Sequence, residues 1–238
     1  MERFESQVPE AMGIVRGQIQ KALNDFQGTV VLHVEPRYRY PGQGGVELKE
    51  GELHICFETN PDAHDLFVTS SKGIKALKEK KVLALNHPFL EVPLKPGTVD
   101  KIHIDNVFTD PSVKPDEIKR ILQKAAKLLK PDGAIYFGHT NEPHRFTKKH
   151  LQALIRRRKL QMEILVEDWE PDVLERRVEE SLGKSERHSP ELPWNRPTDD
   201  EWAILSQHMG PSLRTTGSFH DGYFLAKMTK KSGKPLSV

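Results

Sequence analysis

Hydrophobic and polar positions along this chain switch between two periods, and the switches lay out a series of strands and helices. Thr29 to Val34 is β-branched and apolar apart from His33, as in a strand buried on both faces. Leu53 to Phe57 forms a second run of this kind ending at Glu58, and Lys81 to Leu85 a third. Lys101 to Phe108 alternates and then turns apolar at Val107 and Phe108, which predicts a fourth. Helical spacing appears over residues 8–27 (Val15, Ile19, Leu23, Phe26) and again over 62–79. Pro115, Asp116 and Glu117 open a further helix, pre-setting φ and placing negative charge at its positive end. Ile118, Ile121, Leu122, Ala125, Leu128 and Leu129 then form one apolar stripe. Lys130, Pro131, Asp132 and Gly133 read as a turn that stops this helix and starts a fifth strand, Ala134 to Phe137. A helix over 146–158, a sixth strand from Leu160 to Val166 and a seventh from Gly222 to Met228 complete the series. Strands alternating with helices predict an α/β fold around a largely parallel sheet.

Composition narrows the classes. With 238 residues the chain can bury a good core. The net charge of +2 does not announce nucleic acid or an acidic membrane, and the run Arg156, Arg157, Arg158 suits a helix end. A single cysteine, Cys56, rules out an internal disulfide and fits a reducing compartment, so a cytoplasmic setting is expected. No apolar run reaches membrane-spanning length, and the acidic start (Glu2, Glu5) is not that of a signal peptide.

Order and turn chemistry together resemble the class I S-adenosylmethionine-dependent methyltransferases. Pro93, Leu94, Gly97, Val99 and Asp100 match that family's entry into strand four, and Leu128, Leu129, Lys130, Pro131 and Gly133 its entry into strand five. The resemblance implies a Rossmann-like sheet of seven strands, the last antiparallel, with an insertion between strands six and seven. The expected organisation is an N-terminal helix (1–27), a methyltransferase-like domain (28–168 and 219–229), an inserted lid or partner-binding segment (169–218) and a basic tail (230–238). The insertion holds all three tryptophans, Trp169, Trp194 and Trp202.

The same resemblance assigns candidate chemistry. Members carry an acid in strand one and then a Gly-x-Gly turn, whose missing Cβ atoms let the backbone approach the cofactor. Here His33 stands at the acid's position, and Glu35 and Arg37 at those of the glycines. Glu35 therefore falls against the cofactor. Glu58, at the end of strand two, is placed on the ribose hydroxyls, and Asn86 and His87, after strand three, against the adenine. Asp105 after strand four and His139 after strand five are the candidate catalytic residues. The eleven histidines lack metal-ligand spacing, and no metal is expected. The implied function is methyl transfer from S-adenosylmethionine to a small-molecule acceptor. The alternative is a methyltransferase-like binding or scaffold subunit, working with a protein partner, that has lost the cofactor.

Overall fold

The computed structural model describes residues 7–37, 40–43, 45–104, 107, 113–140, 160–168, 200, 203–204, 207 and 223–230. Seven strands form one sheet: β1 (Thr29–Val34), β2 (Glu52–Phe57), β3 (Val82–Leu85), β4 (Val99–Ile104), β5 (Leu129–Thr140), β6 (Leu160–Asp168) and β7 (Tyr223–Lys230). Their order is β3-β2-β1-β4-β5-β7-β6. The first five are parallel, and β7 runs antiparallel to both β5 and β6. Among the described residues the helices that can be given bounds are α1 (Gln7–Asp25), α2 (Pro61–Thr69), α3 (Ser71–Lys78) and α4 (Pro115–Leu128). Among the described residues no helix is long and apolar enough to cross a membrane.

Strand pleating sends alternate residues to opposite faces. Val30, Leu32 and Val34 join Ile55, Phe57, Ile102, Ile104, Ile135 and Phe137 in one continuous core, closed by Ile19 of α1 and by Ile118, Ile121 and Leu122 of α4. The opposite face is built differently. Over β2 and β3 it packs Cys56 and Val82 with Phe67 and Ala76 of α2 and α3. Over β1 and β4 the crossover from β1 to β2 should lay down a helix, and none forms among the described residues of 35–51. That segment lacks an apolar stripe, so a helix there would bury polar groups.

The residues that carried the resemblance turn out to be joints of the scaffold. Asp100 Oδ2 accepts Val30 N–H at 2.8 Å and pairs with Lys130 Nζ at 2.8 Å, tying β1, β4 and β5 together at their starts. Gly133 stands where an added Cβ would lie 2.9 Å from the carbonyl oxygen of Asp100, so glycine is needed for strand contact. Residues 130–133 thus lie within β5 and not in a turn ahead of it. The β4–β5 register shifts between Val99 and Lys101 to absorb them.

The single helix expected over 62–79 is two. Ser70 adopts an extended φ/ψ, ends α2, and caps α3 by accepting Gly73 N–H on its hydroxyl. At the far end of α3, Lys80 N–H bonds to Leu77 C=O and Lys81 N–H to Ala76 C=O, the paired bonds of a Schellman cap. Lys80 takes the left-handed position at φ 55°, where glycine is usual. Lys80→Gly should therefore stabilise the protein by about 0.5–1 kcal/mol, seen as a rise of roughly 2 °C in Tm. An unchanged or lower Tm would show that the cap is not strained.

Candidate functional site

Parallel sheets bind ligands beyond the carboxyl ends of their strands, so the turns after β1, β2 and β3 come first. After β1 the backbone keeps the conformation that glycines would supply. Glu35 has φ 55° and Arg37 φ 50°, both in the left-handed region. The side chains then change what the turn contains. Glu58 is buried with no exposed surface, and its Oε2 accepts Arg37 N–H at 2.6 Å while Oε1 accepts Asn60 N–H at 2.8 Å. Glu35 Oε2 accepts both N–H and Oγ1–H of Thr59, at 3.3 and 2.8 Å, and its carboxyl also hydrogen-bonds Glu58. Burial first, and the neighbouring Glu58 second, push the Glu35 carboxyl up to about 7.

This cradle does not fit S-adenosylmethionine in the way the resemblance implies. A Cβ and a carboxyl group stand where a bare backbone is wanted. The acid placed on the ribose is sealed and engaged with two backbone amides. One group nearby is left over: Tyr40, stacked on Phe67 at 4.2 Å, has a buried hydroxyl with no hydrogen-bond partner. Its ionisation is pushed up by burial, with lesser effects of Cys56, Glu58 and Glu35.

The remaining sequence candidates separate. Asn86 is exposed and His87 half-buried just after β3, whose Leu85 C=O accepts Glu58 N–H at 3.0 Å. They therefore border the Glu35–Glu58 turn. Asp105 lies outside the described residues. His139 falls within β5, paired with Phe224, and not in a loop beyond it; its side chain lies outside the described residues. The helix expected over 146–158 and the three tryptophans lie outside them too. Of the inserted segment, the described residues 200, 203–204 and 207 are helical. Among the described residues no group of three or more metal-ligating side chains could hold a metal ion.

A second feature lies on the opposite face of the sheet, the one to which the His33 ring belongs. Parallel register sets His33 beside His103 and His103 beside Tyr136, while His54 projects from β2 on the same face. Strand spacing of about 4.8 Å then fixes the ring spacing. Centroids lie 5.2 Å apart for His33–His54, 5.0 Å for His33–His103 and 5.3 Å for His103–Tyr136, all stacked. His33 Nε2 and His54 Nδ1 share a hydrogen bond of 3.0 Å, the tautomers setting its direction. Burial, then His103 and His54, hold His33 well below the usual imidazole range. Burial likewise lowers His54 to about 4, against an opposing pull from Glu52. At neutral pH the row from His33 to His54 is therefore uncharged. The signal available in sequence was a lone histidine in each of three apolar strands, but alternation alone does not say that the three share a face.

No family model matches the chain, and no curated protein matches it in sequence. Solved structures do. A Bacillus subtilis protein, YcgJ, is 12% identical over 92% of this chain and 98% of its own, at a TM-score of 0.47. A TehB-like SAM-dependent methyltransferase from Corynebacterium glutamicum is 13% identical over 94% of this chain and 100% of its own, also at 0.47. A Haloferax volcanii methyltransferase solved in complex with a methyltransferase activator is 14% identical over 91% of this chain and 90% of its own, at 0.46. Identities this low speak to the fold alone. The fold assignment rests on the strand order itself. Five parallel strands ordered 3-2-1-4-5, with an antiparallel seventh inserted before the sixth, give this chain the class I methyltransferase fold.

Proposed function

We propose that this chain is a methyltransferase-fold binding subunit that fills its cofactor turn with its own carboxyl groups and works through a protein partner. One observation carries the reading: Glu35, at a glycine position with φ 55°, hydrogen-bonds a fully buried Glu58 whose oxygens already hold two backbone amides. Opening that turn for a ribose would break those bonds and leave buried groups unpaired. The single cysteine, buried, supports a cytoplasmic setting.

A second reading, methyl transfer from S-adenosylmethionine to a small molecule, is favoured by the orphaned Tyr40 hydroxyl and by the retained left-handed backbone at residues 35 and 37. In that reading Glu58, Asn86 and His87 border the cofactor, and Asp105 and His139 serve the acceptor. Calorimetric titration of the purified chain with S-adenosylmethionine and with S-adenosylhomocysteine separates the two. No binding heat at millimolar cofactor is the expected result. Micromolar binding of either compound would overturn the binding-subunit reading and restore the enzyme.

A further inference from the structure

Two acids meet across the turns after β1 and β2, and they are held very differently. Glu58 is fixed. It is fully buried, and each of its oxygens accepts a backbone N–H, from Arg37 at 2.6 Å and from Asn60 at 2.8 Å. Glu35 is half-buried, and its side chain is held by Thr59, whose N–H and Oγ1–H both reach Oε2, and by its hydrogen bond to Glu58. With both Glu58 oxygens engaged as acceptors, Glu35 is the donor in that bond and carries the proton.

Loss of this proton to solvent would leave two carboxylates face to face where water screens them little, and one must move. Glu58 cannot, because its departure would strand two backbone amides. Glu35 can. Turning outward breaks only its bonds to Thr59, which is exposed, so water can take Glu35's place on both donors. The charged and titratable groups around Glu35 are Glu58 from the turn after β2, Arg37 on its own turn, Tyr40 on the segment that follows and His87 after β3. Of these, Glu58 is the one that shifts the Glu35 proton.

We infer that the Glu35–Glu58 contact is a proton-operated latch, shut while the two acids share a proton and releasing Glu35 to solvent when that proton is lost. The inference rests on reading the turn after β1 as filled by the chain's own carboxyl groups. Burial and Glu58 set the switch near neutrality, since the Glu35 carboxyl titrates at about 7. Below that pH the latch is shut. Above it, an anionic side chain and the two Thr59 donors become available at the carboxyl edge of the sheet, where parallel sheets bind ligands. A partner or ligand therefore meets a different surface on either side of neutral pH.

The test is NMR on the full chain, without ligand, from roughly pH 6 to roughly pH 8.5. A nuclear Overhauser contact between the Glu35 side chain and the Thr59 methyl is expected at the acid end and should be lost at the other. The Thr59 amide proton should move upfield with the same midpoint, as its acceptor leaves, while the Arg37 amide stays where Glu58 holds it. Glu35→Gln can donate to Glu58 and accept from Thr59, so it should stay shut, with both Thr59 signals flat across the range. A Thr59 amide that moves downfield instead would overturn the latch, because an ionised Glu35 left in place makes a stronger bond. So would an Overhauser contact that persists above the midpoint, or wild-type changes in the glutamine variant. No cofactor is present, so a failed latch and a failed binding-subunit reading give separate results.

Discussion

Replacing Glu58 by alanine is expected to lower the free energy of unfolding by about 3 kcal/mol, far more than a ribose-binding carboxylate at a solvated strand end would cost. The estimate follows from what the carboxylate does in the folded chain. It accepts Arg37 N–H and Asn60 N–H, is fully buried, and thereby holds the turn after β1 against the one after β2. A hydrogen bond to a charged acceptor contributes about 1.5–3 kcal/mol, and two are lost. Relief of the repulsion felt by Glu35 offsets part of the loss, since Glu58 is the second cause of that group's raised pKa. The same variant should therefore let Glu35 titrate at lower pH. Urea unfolding of wild type and E58A, with the Glu35 carboxyl followed by NMR, checks both effects. A melting transition within error of wild type would show that the turn is held by something else.

The second large effect concerns pH, where two opposed contributions share one window. His33 and His54 have folded pKa values below the ordinary 6.5, that of His54 at about 4. Below pH 6.5 the unfolded chain takes up protons that the folded chain refuses, so these groups make stability fall as pH drops. Each costs about 1.4 kcal/mol per pH unit across its window. Glu35 acts oppositely. Its pKa is raised from 4.5 to about 7, so the folded chain holds a proton there that the unfolded chain has released. Its contribution is present at low pH and lost as pH rises from 4.5 through 7. In wild type the single Glu35 trend offsets at most about half of the slope that the two histidines impose.

Glu35→Gln removes only the second. The variant should be more stable than wild type by about 2 kcal/mol near pH 8, the figure being discounted because Glu35 is partly solvated. Its loss of stability from pH 6.5 downward should be the steeper of the two. Unfolding curves for both proteins from roughly pH 8 down to roughly pH 4.5 decide it. Parallel profiles, with no gain at high pH, would mean that Glu35 and Glu58 do not share a desolvated pocket.

Much of this architecture was legible in the sequence because it depends on local pattern. Apolar runs placed all seven strands to within a few residues, and the stripe from Ile118 to Leu128 gave α4. The pairing of Asp100 with Lys130 shows why the motif residues mark the fold: they join strands at points where another residue type would leave a gap or a clash. Local pattern failed where a single polar group outweighed it, as at Ser70, whose hydroxyl ends one helix and caps the next. It failed again at residues 130–133, where pairing with β4 draws a turn-like sequence into a strand.

The candidate site was legible only by position. Sequence put Glu35 and Arg37 at glycine positions, and His33 at that of an acid, without saying what those side chains would do there. Tertiary structure decided that Glu35 turns onto Glu58, and that Glu58 spends its oxygens on backbone amides rather than offering them outward. It also gathered His33, His54 and His103, which lie on three strands and are 21 and 49 residues apart in order along the chain, into one stacked row. The reason is physical. Periodicity fixes which face a side chain takes within its own strand, but strand order and register fix which side chains of other strands stand beside it, and those come from packing of the whole sheet.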